Sequence, residues 1–375
     1  MAKLRAVKTH FIEENKSMGV KGIDAGSITD VLFDPNTGLI YVGRVASNND
    51  IFYTFNPKTK QFCSLNYQKI AEKNEVKVHR ALHLDEDGTI YGATACLLDL
   101  KTAADAPGGC LFKYHPKTDK LEKICIPCPH TYIQSIALDR KRKIIYGLTY
   151  PYSFIFKYEL KTGKAETLAS PNSFPHDLEI DDNGVLWTVW RPPTTQVKEF
   201  SPPKFISYNP DKNELIYHHF GPFDDFFRFY RKPTDIAVFD FYDIDSMFNG
   251  GDGHIYIGSV DGCLYRFNPG KMKVDWLGKP SPGLRIAGLT MDSEGLIYGV
   301  SGQGIGEERV VSELWSYDRE KASFSRLGPL IDKDKSIFCD YPHGLTINNQ
   351  NDCLFVAETD TPQRPSAIWE CLIER

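Results

Sequence analysis

No stretch of this sequence approaches the ~18 consecutive apolar residues of a membrane-spanning helix, so a bilayer is not an expected partner. Basic tracts are missing too. The 44 Lys and Arg are outnumbered by 49 Asp and Glu, for a net charge of −5, and nowhere do they run long enough to follow a phosphate backbone. Nucleic acid is therefore excluded as an expected partner. The opening residues Met1-Ala-Lys-Leu-Arg-Ala-Val-Lys-Thr-His10 lack the apolar core of a secretory leader. The expectation is a cytoplasmic protein, with a secreted protein whose leader has been removed as the alternative. Paired cysteine is also wanting. The chain has nine cysteines, an odd number, and most sit in apolar strand-like stretches such as Cys353-Leu-Phe-Val. That pattern fits reduced thiols better than a disulfide framework. Cys125-Ile-Pro-Cys128 has no second pair to complete a zinc site, and reads as two strand-end thiols. Gly302-Gln-Gly-Ile-Gly306 has no helix after it to cradle a phosphate.

What the sequence does have is a repeat. An apolar strand, a short acidic turn with Gly or Asn, and an apolar-aromatic pair recur seven times. The clearest copies are Val31-Leu-Phe-Asp-Pro-Asn-Thr-Gly-Leu-Ile-Tyr41, Leu82-His-Leu-Asp-Glu-Asp-Gly-Thr-Ile-Tyr91 and Leu289-Thr-Met-Asp-Ser-Glu-Gly-Leu-Ile-Tyr298. The fifth copy is loose and ends at Gly253-His-Ile-Tyr256. A second phrase follows most copies: an aromatic strand, a polar turn and another strand, as in Phe156-Lys-Tyr-Glu-Leu-Lys-Thr-Gly-Lys164. Four strands per unit at a spacing of about 50 residues is a propeller period. The expected fold is all-β, a seven-bladed β-propeller occupying residues 1–375 as a single domain. Leu4–Ile12 is an orphan strand-like stretch, and it supplies the outermost strand of the last blade, closing the ring.

With strands lettered A to D outward from the axis, the A–B and C–D turns are short, except for Phe239–Gly253 in the fifth blade. The B–C loops are long in blades two, four, six and seven, so function belongs on the face they share with the D–A connections. Residues leading into the A strands crowd that mouth: Thr29-Asp30, His79-Arg80, Tyr132 and Gln134, His176-Asp177, Thr234-Asp235, Arg285 and His343. A ring built only for support has no need of so many ionisable groups. His79, His176 and His343 offer a general base, acid or metal ligand. Thr149-Tyr-Pro-Tyr152 and Trp190 bring aromatic rings, and Arg80, Arg191 and Arg285 can pair with a carboxylate through two parallel hydrogen bonds. A base, a tyrosine and an arginine together suit β-elimination from a uronic acid: the cation makes the C5 proton more acidic, and the base removes it.

The strings Lys77-Val-His-Arg80, Asp85-Glu-Asp-Gly-Thr-Ile-Tyr-Gly-Ala-Thr94, Ile145-Tyr-Gly-Leu-Thr-Tyr-Pro151 and Phe156-Lys-Tyr158 resemble the seven-bladed-propeller polysaccharide lyases. That group includes ulvan lyases and rhamnose–glucuronate lyases, with a related propeller rhamnosidase family. The resemblance implies a catalytic histidine at His79, with Tyr150 or Tyr152 as its tyrosine partner. Arg80, Arg191 and Arg285, with Tyr132, Gln134, His176, Trp190 and His343, would hold a small carbohydrate substrate. The compact Gln-x-x-His-x-His cluster of cytoplasmic propeller oligogalacturonate lyases is absent.

Two other readings stand beside this one. Pro342-His-Gly-Leu-Thr-Ile347 and Phe355-Val-Ala-Glu-Thr359 resemble the last blade of gluconolactonase-type propellers. That implies a metal-dependent lactonase or sugar-acid hydrolase holding a divalent cation, calcium or manganese, with Asp30, His176, Asp177, Asp235 and His343 as candidate ligands. The third reading is a non-catalytic sugar- or protein-binding propeller. For it, the aromatic stretch Phe220–Tyr230 is either a plug over neighbouring loops or an exposed partner surface.

Overall fold

The structure is a computed structural model. It describes residues 3–12, 26–46, 49–72, 74–95, 105–173, 175–192, 202–224, 243–302, 310–359, 361 and 364–374. Seven four-stranded antiparallel sheets form a seven-bladed β-propeller. The innermost A strands are Ile28–Phe33, Lys77–Leu84, Tyr132–Asp139, Glu179–Ile180, Ile244–Asn249, Ile286–Met291 and Pro342–Ile347. In the seventh blade the outermost strand is Lys3–Phe11, which pairs antiparallel with Ala367–Glu374. Thr9 fastens this strand sideways as well. Its amide and hydroxyl both donate to Asp332 Oδ2, at 2.9 and 2.6 Å, from a small hairpin that follows blade six.

Neighbouring blades pack face to face, because each strand alternates its side chains and both sheet faces meet another sheet. Between blades one and two, for instance, Tyr41, Phe52, Val78, Leu82, Ile90, Phe112 and Tyr114 form one buried cluster. Five of the seven B strands carry a glycine where a neighbouring strand comes close, at Gly43, Gly92, Gly147, Gly258 and Gly299. A Cβ at Gly92, Gly147 or Gly299 would overlap the ring of Phe112, Phe156 or Trp315. The Tyr-Gly pairs of the repeat are thus a packing device: Tyr146 and Tyr298 are buried and Tyr91 half-buried on one face, and the aromatic of the C strand covers the glycine on the other.

Six of the seven A strands share one irregularity that sets side chains at the mouth. In blades one, three, five, six and seven the register with the B strand slips by one residue near the start, at Thr29, Gln134, Asp245, Ala287 and His343. Blade two slips over a wider stretch, between Val78 and Leu82, which contains His79 and Arg80. A bulge leaves its residue outside the ladder and turns its side chain off the pleat. Below the bulges the A strands are stapled to one another. Asp30 Oδ2 accepts from the amides of Ala81 (2.6 Å) and Leu82 (2.9 Å). Asp177 accepts from Ser135 Oγ at 3.0 Å and from the amide of Met247 at 2.9 Å.

Blade five differs from the sequence expectation. Its A strand is Ile244–Asn249 and its B strand Ile255–Ser259, so the A–B turn is the tight stretch 250–254, not Phe239–Gly253. Thr234 and Asp235 lie outside the described residues, as do most of the long B–C loops. Of the aromatic stretch, Phe220 packs on Phe205 and Phe223 is fully buried against Tyr265, while Phe226–Tyr230 lie outside the described residues.

Candidate functional site

At the mouth of the channel, on the face of the B–C and D–A connections, lies a cavity of about 250 Å³. Its walls include Lys77, His79, Tyr132, Gln134, Tyr150, His176, Arg285 and His343, with Thr149, Ser153 and Thr359 at its edge. No carboxylate is among the described lining residues. Seven of the residues singled out in the sequence therefore converge here: His79, Tyr132, Gln134, Tyr150, His176, Arg285 and His343.

The histidines form a cluster. The His79 and His343 rings meet edge to face at 4.7 Å between centroids, and the His176 ring lies 6.3 Å from that of His79. His79 is buried, and its Nδ1 donates to the backbone carbonyl of Gln134 at 2.7 Å. Because a carbonyl only accepts, the proton of the neutral ring sits on Nδ1, and Nε2 keeps its lone pair. Burial drives the proton affinity of His79 well below the usual imidazole range, and the charges of Lys77 and Arg80 push it further. His343 is driven the same way, first by burial and then by Arg80. Its Nδ1 is buried with no hydrogen-bond partner. Both imidazoles are neutral at physiological pH.

Beneath the pocket floor lies Asp245, which has no exposed surface and which the sequence reading missed. Arg285 grips it with Nε and Nη2, both at 2.9 Å, and Arg80 reaches its Oδ1 with Nη2 at 3.1 Å and its carbonyl with Nη1 at 2.5 Å. His176 Nδ1 lies 3.0 Å from Oδ1. Burial alone would raise this carboxyl, but the two guanidiniums outweigh it and hold it well below the carboxylate range. Arg80 and Arg285 both have left-handed backbones, with φ of 44° and 54°. Strain of this kind costs on the order of 1–2 kcal/mol per residue and persists where surrounding contacts impose it. Arg80 sits in the irregular stretch of blade two, and Arg285 stands one residue before the A strand of blade six.

The remaining candidates lie elsewhere. Tyr152 is 60 % exposed and outside the cavity. Trp190 donates from its indole N–H to the carbonyl of His218 and packs against Tyr217. Arg191 pairs with Asp243 at 3.3 Å. Arg80 lies under the site without lining it. Among the metal candidates, Asp30 and Asp177 turn their oxygens to backbone amides and a serine hydroxyl, His176 turns Nδ1 to Asp245, and Asp235 lies outside the described residues. That donor set does not fit calcium, which asks for several carboxylate and carbonyl oxygens around one point. Among the described residues no group of three or more His, Cys, Asp or Glu is arranged to hold a metal ion.

Comparison with known proteins adds the fold and no more. No family model matches the chain, and no curated protein matches it. Among solved structures it is similar to the RRP9 WD40 repeats, at 11% identity and a TM-score of 0.61 over all of both chains. It is similar to U3-55K at 11% identity and 0.56, over 99% of this chain and all of that one. The extracellular domain of a protein assigned as a hybrid two component system of B. thetaiotaomicron matches at 14% identity and 0.59. That match covers 97% of this chain and 41% of the other. These likenesses define the chain as a β-propeller.

Proposed function

We propose that the pocket at the channel mouth eliminates across the C4–O bond of a uronic-acid residue in a small oligosaccharide. The observation that carries this reading is His79: a neutral imidazole with its proton fixed on Nδ1, facing a pocket whose described walls bring Lys77 and Arg285 and no carboxylate. Positive charge there favours an anionic ligand and acidifies the proton next to its carboxylate. His79 Nε2 takes the C5 proton. The C5 electron pair becomes the C4–C5 double bond as the C4–O bond breaks, and the departing oxygen takes a proton from Tyr150. The products are an unsaturated uronate and an alcohol. The Tyr132 and Tyr150 rings, 5.0 Å apart, form an aromatic wall suited to a sugar face. The lactonase reading asks for oxygen ligands converging on the axis, and the orientation of Asp30 and Asp177 speaks against it.

Incubation with a panel of uronate-containing oligosaccharides tests the reading by absorbance near ~235 nm, where a double bond conjugated to the carboxylate absorbs. A rise with the native protein and its loss in His79→Ala is the expected result, a fall of about 10²-fold or more. Cleavage without absorbance, or no product across the panel, would overturn it.

A further inference from the structure

Asp245 is built unlike the other carboxylates of the ring. Asp30 and Asp177 hold blades together by accepting from backbone amides of the neighbouring blade. Asp245 instead accepts from side chains of three other blades: Arg80 of blade two, His176 of blade four and Arg285 of blade six. It stands at the bulged position of blade five, fully buried, directly under a cavity that His176 and Arg285 line. A buried ionised carboxylate is costly to keep, and apolar residues in place of the whole charge cluster would pack this layer at least as well. Two arginines with left-handed backbones converge on it. Stapling does not call for this; aiming side chains does.

We propose that Asp245 is the positioning residue of the pocket. It fixes His176 with its proton on Nδ1, so that Nε2 meets the ligand as an acceptor for a sugar hydroxyl. It also pins the guanidinium of Arg285 where a ligand carboxylate arrives. The catalytic half of this inference rests on the elimination reading, while the structural half stands without it. The charged and titratable groups around His176 are Asp245, Arg285 and Arg80, with the imidazole of His79 beyond them. The carboxylate is the group among them that draws a proton to Nδ1.

Two measurements test this. The first is long-range ¹H–¹⁵N NMR on the native protein at neutral pH, with the His176 signals assigned by their loss in His176→Asn. The expected result is a neutral His176 ring protonated at Nδ1; an Nε2-protonated ring overturns the proposal. The second is kinetic. Asp245→Asn leaves two buried guanidiniums short of a partner, so it is made alongside Arg80→Met/Asp245→Asn, which removes one of them. In whichever variant keeps its native melting transition, kcat/KM on the uronate substrate falls about 10²-fold, the scale set by a misplacement of about 1 Å in a reacting site. KM rises with it and the pH profile changes shape. A folded variant with native kcat/KM and native pH profile overturns the proposal. If the native protein yields no unsaturated product, the elimination reading has failed, and the His176 tautomer still decides the role of Asp245.

Discussion

Replacing His343 by asparagine will flatten the acid side of the stability profile, and the size of the effect follows from burial. His343 is 5% exposed, its Nδ1 has no partner, and its proton affinity lies well below the unfolded value of 6.5. In the unfolded chain the ring binds a proton as pH falls through 6.5; in the fold it stays neutral. The unfolded state therefore holds more protons, and stability contributed by this group is present above that pH and lost below it. Each pH unit below the unfolded value costs about 1.4 kcal/mol for as long as the folded ring stays neutral, so the loss between pH ~7.5 and pH ~5 is at most about 2 kcal/mol. His343→Asn removes that term. Its lost packing adds an offset, but a constant one. Urea denaturation of native protein and variant at both pH values isolates the effect of the histidine pair, because titrating groups away from the channel mouth cancel in the difference. The gap between the two should shift in favour of the variant at the lower pH, by up to about 2 kcal/mol. A gap that does not change with pH would mean that the ring titrates as freely in the fold as out of it, and the neutral imidazole pair would be wrong.

The same depression at His79 places the acid limb of kcat/KM for the eliminated substrate below pH 6.5, since the base must be unprotonated and stays so further into acid than a free imidazole; a pH–rate profile checks it. Tyr150→Phe should cost about 10²-fold in turnover, whereas Tyr152→Ala, at an exposed position outside the cavity, should leave the rate of absorbance increase unchanged. Gly147→Ala forces a Cβ into the ring of buried Phe156 and should destabilise the fold by about 1–3 kcal/mol, read from the denaturation midpoint, with the pocket residues untouched.

The repeat was legible because the same turn chemistry had to recur in every blade. An Asp or Asn side chain closes each A–B turn on its own backbone, as Asp181 Oδ1 does with the amides of Asn183 and Val185 and Asn348 Oδ1 with those of Asp352 and Cys353. Blade five hid its frame for a physical reason. Ile236-Ala-Val-Phe-Asp240 and Ile244-Asp-Ser-Met-Phe-Asn249 both read as an apolar strand running into a turn, and alternation alone does not choose between them. Spacing would have chosen. Asn249-Gly-Gly-Asp-Gly253 stands immediately before the B strand, as Asp181-Asp-Asn-Gly184 does in blade four. Counting back from that turn reaches Asp245, at the level of His176 and His343. The histidines and Arg285 were visible because ionisable residues at strand starts are conspicuous. Which of them face the cavity was not, because a bulge changes the direction of a side chain without changing the pattern of apolar residues around it. Tyr150 and Tyr152 show the limit: two residues apart in one string, they end in a pocket wall and in solvent.

The pairing of Lys3–Phe11 with Ala367–Glu374 has a consequence for the timing of synthesis. Roughly 360 residues separate the two strands, and at ribosomal rates of about 5–20 residues per second the first waits some 20–70 s for its partner. Throughout that interval six blades can form while the seventh has nothing to close on, and Lys3–Phe11 travels as a free strand with unpaired amides. A chain released early, or stalled in its last blade, would carry the whole ring with an open seam. Until Ala367–Glu374 emerges and pairs, quality control in the cell would meet an edge-exposed, nearly complete propeller, open to capture or aggregation along one strand.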